Sequence, residues 1–294
     1  MKITNEHNLP APIYAALSQT RPPKAERLSA TALIGSPLVR QLTLKHWDEI
    51  EEDATDRLWA LLGQGVHSVL DKNTDADSFA EEKLVIPFNG IDVVCMSDNW
   101  KDGVISDYKV TSVFSFLLGE KIEWENQLNV YAWAWRRQGF ITTKLVIHAI
   151  LRDWSKGKTL SDPDYPKVPF ISAPIKLWPA EQQEAYVAER VRLHLEPAGE
   201  CTSEEKWERP TTWAVMKEGR KSALRVLDSK DNAIVWAFDN GYTKEIDFNL
   251  NPNQLGVSAQ LNKGISIVER KGGCVKCEQY CNVRQFCKFY KGEK

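Results

Sequence analysis

The stretch Leu84-Val-Ile-Pro-Phe-Asn-Gly-Ile-Asp92-Val-Val-Cys-Met-Ser-Asp98-Asn-Trp-Lys-Asp-Gly103-Val-Ile-Ser-Asp107-Tyr-Lys109-Val-Thr111 decides the reading of this chain. Two apolar runs flank a polar, glycine-containing break, the pattern of a β-hairpin. Asp107 and Lys109 are two apart on the second run, so they point to one face, with Tyr108 opposite. A loop of Asp98 to Lys101, four residues long and of a common hairpin length, places Asp92 across from Asp107 on that face. Like charges opposed across a ladder cost stability. A divalent cation relieves the cost, because hard oxygen ligands suit Mg²⁺. The plain alternative is two solvated acids beside a lysine, and Asp-x-Lys alone does not exclude it. The order Gly90-Ile-Asp92, turn, Asp107-Tyr-Lys109 is much less common.

Upstream, residues 1 to 27 are Pro-rich and read as an irregular arm. A short helix begins at Ser29, a plausible N-cap, and Ser36-Pro37 interrupts it. From Leu44 to Leu70 the residues Trp47, Ile50, Leu58, Leu61, Leu62, Val66 and Leu70 approximate helical spacing. His67 lies in this region. A lone histidine is usually a core or surface residue; the sharper reading is a metal ligand reaching toward the carboxylates. Gly63, one turn earlier, would let a substrate or another backbone come close.

Downstream, the spacing predicts a helix over residues 123–138. Trp124, Leu128, Ala132 and Trp135 form an apolar stripe that packs on a sheet. Gln127 and Tyr131, four apart, share an adjacent face. They either edge that stripe or stand beside the carboxylates. Residues 144–151 read as a strand with His148 inside it, a structural position. Arg152, Lys156 and Lys158 follow in a loop that is either solvated or in contact with phosphates. A helix is expected over residues 180–195. From Thr202, Lys217, Arg220, Lys221 and Arg225 are interleaved with Trp207 and Trp213. This reads as a charged helix anchored by tryptophans or as a single-strand-binding surface.

The net charge of −2 excludes a bulk polycation, so nucleic-acid binding would rest on local basic patches. The N-terminal residues lack an apolar signal core and no apolar stretch is long enough for a membrane span, so a cytoplasmic protein without a membrane partner is expected. Four of the six cysteines crowd into Cys274-Val-Lys-Cys277-Glu-Gln-Tyr-Cys281-Asn-Val-Arg-Gln-Phe-Cys287. Without a secretion signal, such crowding favours metal over disulfides. Four thiolates can close a structural Zn²⁺ site or hold an iron–sulfur cluster, and spacing does not decide between them.

The ordered set Gly63-x-x-x-His67, Gly90-Ile-Asp92, Asp107-Tyr-Lys109 and Gln127-x-x-x-Tyr131 resembles the PD-(D/E)XK nucleases. It looks most like their RecB-type branch, which includes phage exonucleases and CRISPR-adaptation nucleases. The motifs span about residues 29 to 151. The resemblance implies Mg²⁺ or Mn²⁺ ligation by His67, Asp92, Asp107 and the main-chain carbonyl of Tyr108. It implies Lys109 positioning or activating water, with Gln127 and Tyr131 supporting the lysine and the DNA strand. The cysteine tail resembles that of iron–sulfur members. In those, an upstream cysteine commonly precedes a proline, where this chain has Ser36-Pro37. That leaves a [4Fe–4S] cluster, or zinc, held wholly by Cys274, Cys277, Cys281 and Cys287.

The expectation is an α/β fold, with a central mixed sheet flanked by helices, the carboxylate hairpin at its middle, and a C-terminal cysteine-rich metal knuckle. The expected divisions are an arm (1–27), a nuclease core (28–200) and an extension (201–294). The expected function is metal-dependent DNA hydrolysis in processing or recombination, phage-type, exonuclease rather than endonuclease. DNA is the expected partner, with an oligomer or a single-strand annealing or recombination protein as further company. The competing expectations are an inert DNA-binding module and a zinc-stabilised protein adaptor.

Overall fold

The computed structural model describes residues 1–117, 122–249 and 256–292. The chain forms two compact units, Met1–Glu200 with Gln285–Lys294, and Cys201–Arg284. In the first, the elements run β1 (Lys2–Thr4), α1 (Ala11–Leu17), β2 (Arg27–Ser29), α2 (Ala30–Ile34), α3 (Pro37–His46), β3 (Glu51–Asp53), α4 (Leu58–Asp71), β4 (Phe79–Ala80), β5 (Lys83–Phe88), β6 (Ile91–Met96), β7 (Asn99–Lys101), β8 (Val104–Thr111), α5 (Val113–Leu117), α6 (Ile122–Arg137), β9 (Lys144–Leu151), α7 (Lys158–Ser161), β10 (Phe170–Ile175) and α8 (Ala180–Leu195).

Among the described residues, the main sheet of this unit has five strands in the order β10-β9-β8-β7-β4. β8 and β9 pair in parallel and their neighbours antiparallel. Parallel neighbours need a crossover, which α6 supplies. A second sheet, β2-β6-β5, has three strands. α6 packs against strands of both sheets. Its residues Leu128 through Trp135 are all buried, on every side of the helix. A helix apolar on one stripe needs one partner; a helix buried all round lies between layers. The polar group in that segment is satisfied. Asn129 Nδ2 donates to the carbonyls of Glu125 and Lys176, both at 2.9 Å, and its Oδ1 accepts from Trp178 N at 2.8 Å. Trp135 Nε1 donates to Ser97 Oγ at 3.0 Å.

Several expectations are corrected. The first 27 residues are not a loose arm: β1 pairs in parallel with β3, and Ile3, Leu17 and Ala54 form a small core. The helical run expected from Leu44 to Leu70 is broken, with α3 ending at His46, β3 intervening, and α4 starting at Leu58. The apolar spacing spans two helices and a strand, so periodicity alone could not separate them. Ser29 does cap α2, accepting Ala32 N at 3.1 Å. Ser36-Pro37 starts α3, with Ser36 capping and Pro37 in the first turn, where a missing N–H costs nothing.

The second unit holds α9 (Ser203–Lys206), β11 (Glu208–Arg209), β12 (Thr212–Lys217), β13 (Arg225–Leu227), α10 (Lys230–Asp239), β14 (Thr243–Asn249), β15 (Gly256–Leu261), β16 (Ile265–Arg270), β17 (Gly273–Cys274) and α11 (Val275–Gln279). Beyond the short α9, the basic, tryptophan-bearing stretch is thus strand and turn, not one charged helix. β12 pairs with β13 and β16 around Ala214 and Val215, which are buried.

Candidate active site

Two tight turns set the geometry. Asn89-Gly90, with φ of +47° and +84°, closes the β5–β6 hairpin. Asp102-Gly103, with φ of +48° and +80°, closes β7–β8. Two left-handed residues in succession match the twist of paired strands, and Asn-Gly and Asp-Gly are the dipeptides that adopt them. The second turn lies four residues beyond the start of the loop assumed from sequence, so β8 pairs with Asn99 to Lys101 and not with β6.

Asp92 therefore does not face Asp107. On β6 it pairs with Pro87 and Arg27, and its Oδ2 is 3.7 Å from Arg27 Nε. Asp98 takes the position instead, next in register after the pair Asn99–Ser106. Its Oδ2 accepts the main-chain N–H of Tyr108 at 2.6 Å, and its Oδ1 lies 3.3 Å from His67 Nδ1. The sequence reasoning placed Asp98 in the loop. The Asp-Gly dipeptide at 102–103 was the signal that could have found it.

Lys109 meets Asp107, Gln127 and Tyr131 follow from Lys109, and His67 stands beside Asp98, while the Tyr108 ring turns away. The Asp107 side chain is 1% exposed. Lys109 Nζ lies 2.7 Å from Asp107 Oδ2 and 3.0 Å from Oδ1. Only the Oδ1 contact has hydrogen-bond geometry, which leaves buried Oδ2 without a directed donor. Lys109 also donates to Gln127 Oε1 at 3.3 Å, and Gln127 Nε2 donates to Tyr131 Oη at 2.7 Å. The amide of Gln127 is thereby fixed between a cation and a phenol. The Tyr108 ring, on the alternate face of β8, stacks on His148, whose nitrogens face Ser172 and Ser106. His148 is a structural residue.

Burial pushes the Asp107 carboxyl up to about 6; Lys109 opposes the shift and the charge of Asp98 adds to it. The hydrogen bond to Asp98 raises the pKa of His67 against the effect of its burial. Burial, reinforced by the charge of Asp107, raises that of Tyr131, which stays a phenol at neutral pH. Because Nδ1 of His67 faces a carboxylate, it carries the proton. Loss of that proton would leave the Nδ1 lone pair and an Asp98 oxygen 3.3 Å apart, a spacing that two ligands of one cation can adopt.

The donors suit a hard divalent cation: two carboxylates brought near each other, one with an undirected buried oxygen, and an imidazole beside one of them. Among the described residues, no three His, Cys, Asp or Glu side chains are yet gathered as a metal-binding set. The same holds for the tail thiols. Cys274, Cys277 and Cys281 lie in the second unit and Cys287 in the first, all partly exposed and none in a disulfide. The backbone at Gly272 is tight, since a Cβ there would meet the Arg209 carbonyl oxygen at 2.2 Å. No described helix is long and apolar enough to cross a membrane.

No family model matches this sequence, and no curated protein matches it. Among solved structures it is similar to the crystal structure of SSO0001, at 14% identity and TM-score 0.42, covering 63% of this chain and 83% of that one. A phage related exonuclease from Haemophilus somnus 129PT matches at 12% identity and TM-score 0.37, covering 57% and 91%. An alkaline exonuclease from Laribacter hongkongensis matches at 11% identity and TM-score 0.39, covering 67% and 94%. Likenesses this loose decide neither fold nor function, which rest on the chain's own geometry.

Proposed function

We propose that this protein is a Mg²⁺- or Mn²⁺-dependent deoxyribonuclease, exonuclease rather than endonuclease, with Asp98, Asp107 and Lys109 at its centre. One observation carries the reading: a buried carboxylate, Asp107, is held beside Asp98 and in contact with Lys109. Burying ionisable groups is costly, and such clusters are kept mostly where chemistry uses them. The order of motifs points the same way and supplies DNA as the substrate class.

Asp98, Asp107, the carbonyl of Tyr108 and His67, through the Nδ1 that faces Asp98 at 3.3 Å once its proton is lost, would hold the cation. When bound, it supplies charge neutralisation at the phosphate and a water of lowered pKa. The remaining work belongs to side chains. Lys109 places an ammonium beside the carboxylates, where it stabilises charge developing on a phosphoryl oxygen and orients the attacking water. Gln127 holds Lys109 in that position, and Tyr131 holds Gln127. Asp98 is fixed beside His67 by the Tyr108 N–H, which donates to its Oδ2.

The test is cleavage of end-labelled linear and circular DNA with Mg²⁺, Mn²⁺ or EDTA. Asp98→Ala, Asp107→Ala and Lys109→Ala should each lower the rate by roughly 100-fold or more, the scale seen when one preorganised group is removed. Asp92→Ala should cut at nearly the wild-type rate. Undiminished cleavage by the first three removes this site from the reaction. A second reading, a fold that binds DNA without cutting it, draws on the ungathered ligand set. It predicts retention of DNA with no metal-dependent product in the same gel.

A further inference from the structure

On α4, Trp59, Gly63 and His67 are spaced i, i+4, i+8 and so share one stripe of the helix. The stripe is about 12 Å long at 1.5 Å per residue. His67 ends it at Asp98, in the site described above. Trp59 begins it, 64% exposed in the first turn of the helix. The Arg152 guanidinium carbon stands 4.0 Å from the centre of a Trp59 ring. Arg152 is itself anchored through its main chain, its N–H donating to the Thr111 carbonyl at 2.9 Å, two residues beyond Lys109 on β8. Between the two ends, a Cβ at Gly63 would meet nothing within 4 Å. The middle of the track is therefore open to solvent.

A structural role accounts poorly for this arrangement. An indole that packs a core is covered, and this one is not. Among the described residues Arg152 has no carboxylate partner, and its guanidinium lies on the indole instead. An exposed indole with a cation on one face is how proteins hold an unpaired base and its adjacent phosphate together. The open glycine between that pair and the acidic centre lets a sugar–phosphate backbone lie close to the helix.

We infer that Trp59 and Arg152 form a subsite for an unpaired nucleotide of the substrate strand, about two helical turns from the scissile phosphate. The inference rests on the nuclease reading for the direction of the strand, not for the binding itself. Trp59 stacks on a base, which is tolerant of sequence. Arg152 turns from the indole to a phosphate oxygen. Substrates with a single-stranded end are then preferred over blunt duplex, because a paired base offers no free face.

Binding is read first, with a fluorescein-labelled single-stranded oligonucleotide, by anisotropy in EDTA so that no cleavage occurs. Trp59→Ala should weaken binding roughly 5- to 150-fold, the span of one base stacked on one aromatic. Trp59→Phe should restore most of it, and Arg152→Ala should weaken binding and flatten its salt dependence. Matching thermal unfolding of the variants and wild type establishes that the loss is local. Hydrolysis of bis(p-nitrophenyl) phosphate with Mn²⁺ by the wild-type protein reads the acidic centre apart from strand binding. Wild-type affinity in Trp59→Ala overturns the subsite. Tryptophan-dependent binding with no wild-type hydrolysis of DNA or the small diester keeps the subsite and overturns the nuclease reading instead.

Discussion

Replacing Asp107 by Asn should stabilise the metal-free protein at neutral pH. The carboxyl is pushed up from 3.8 to about 6, chiefly by burial. A group whose folded pKa lies above its unfolded value binds protons more tightly when folded. Stability therefore falls as pH rises from about 4 to 6, then levels off. At 1.36 kcal/mol per pKa unit, the ionised form costs about 3 kcal/mol at pH 8. That figure already includes the attraction of Lys109. An Asn amide removes the charge but leaves a buried polar group imperfectly paired, at about 1–2 kcal/mol. The net gain for Asp107→Asn is about 1–2 kcal/mol at pH 8. It should vanish and reverse below pH 4, where the wild-type acid is also neutral and the poorer hydrogen bonding of the amide remains. The assay is urea unfolding in EDTA at half-unit steps from pH 4 to 8, read as the difference between variant and wild type. Adding Mg²⁺ should stabilise wild type and leave the variant little changed, since a ligand stabilises only the state that binds it. A variant less stable than wild type at pH 8, or a difference flat across the range, refutes the claim that Asp107 is held ionised at a cost.

Three further outcomes are expected. The pKa of His67 is raised by Asp98, so its charged form contributes stability that is complete below about pH 6.5 and is lost as pH rises through the raised value. His67→Gln should lack that loss, and an unchanged pH profile would contradict the contact. Trp135→Ala should destabilise the protein by about 3–5 kcal/mol, because the indole is fully buried between layers and its N–H has a partner in Ser97. Chemical denaturation measures it, and a cost below 1 kcal/mol would mean that α6 is not a packed layer. For the tail, we expect anaerobically purified protein to carry about one zinc or one iron–sulfur cluster per chain, bound as the four thiols close around it. Metal analysis and an absorption spectrum decide between them, and neither metal being present would remove the knuckle.

Local patterns were legible in the sequence wherever one interaction range sufficed. Ser29 is a cap because its hydroxyl reaches only three residues along the chain. The strand over residues 144–151 and the helix over residues 180–195 follow from their own periodicity. Gln127 and Tyr131 touch because a helix puts i and i+4 together, and Asp107 and Lys109 because a strand puts i and i+2 on one face. The partner of Asp107 was not legible in that way. Whether it is Asp92 or Asp98 depends on which residues form the turn. A misplaced turn exchanges the whole facing strand while leaving the alternation along β8 intact. The Asn-Gly and Asp-Gly dipeptides favour the register observed, but the short β7 is paired only because β4 and β8 flank it. In the same way, Trp59 and Arg152 are far apart in sequence, and no periodicity joins them. Chain chemistry set the residues capable of acting; the choice of neighbours fell to sheet register and to the packing of α4 and α6, which are decided by contacts between distant segments.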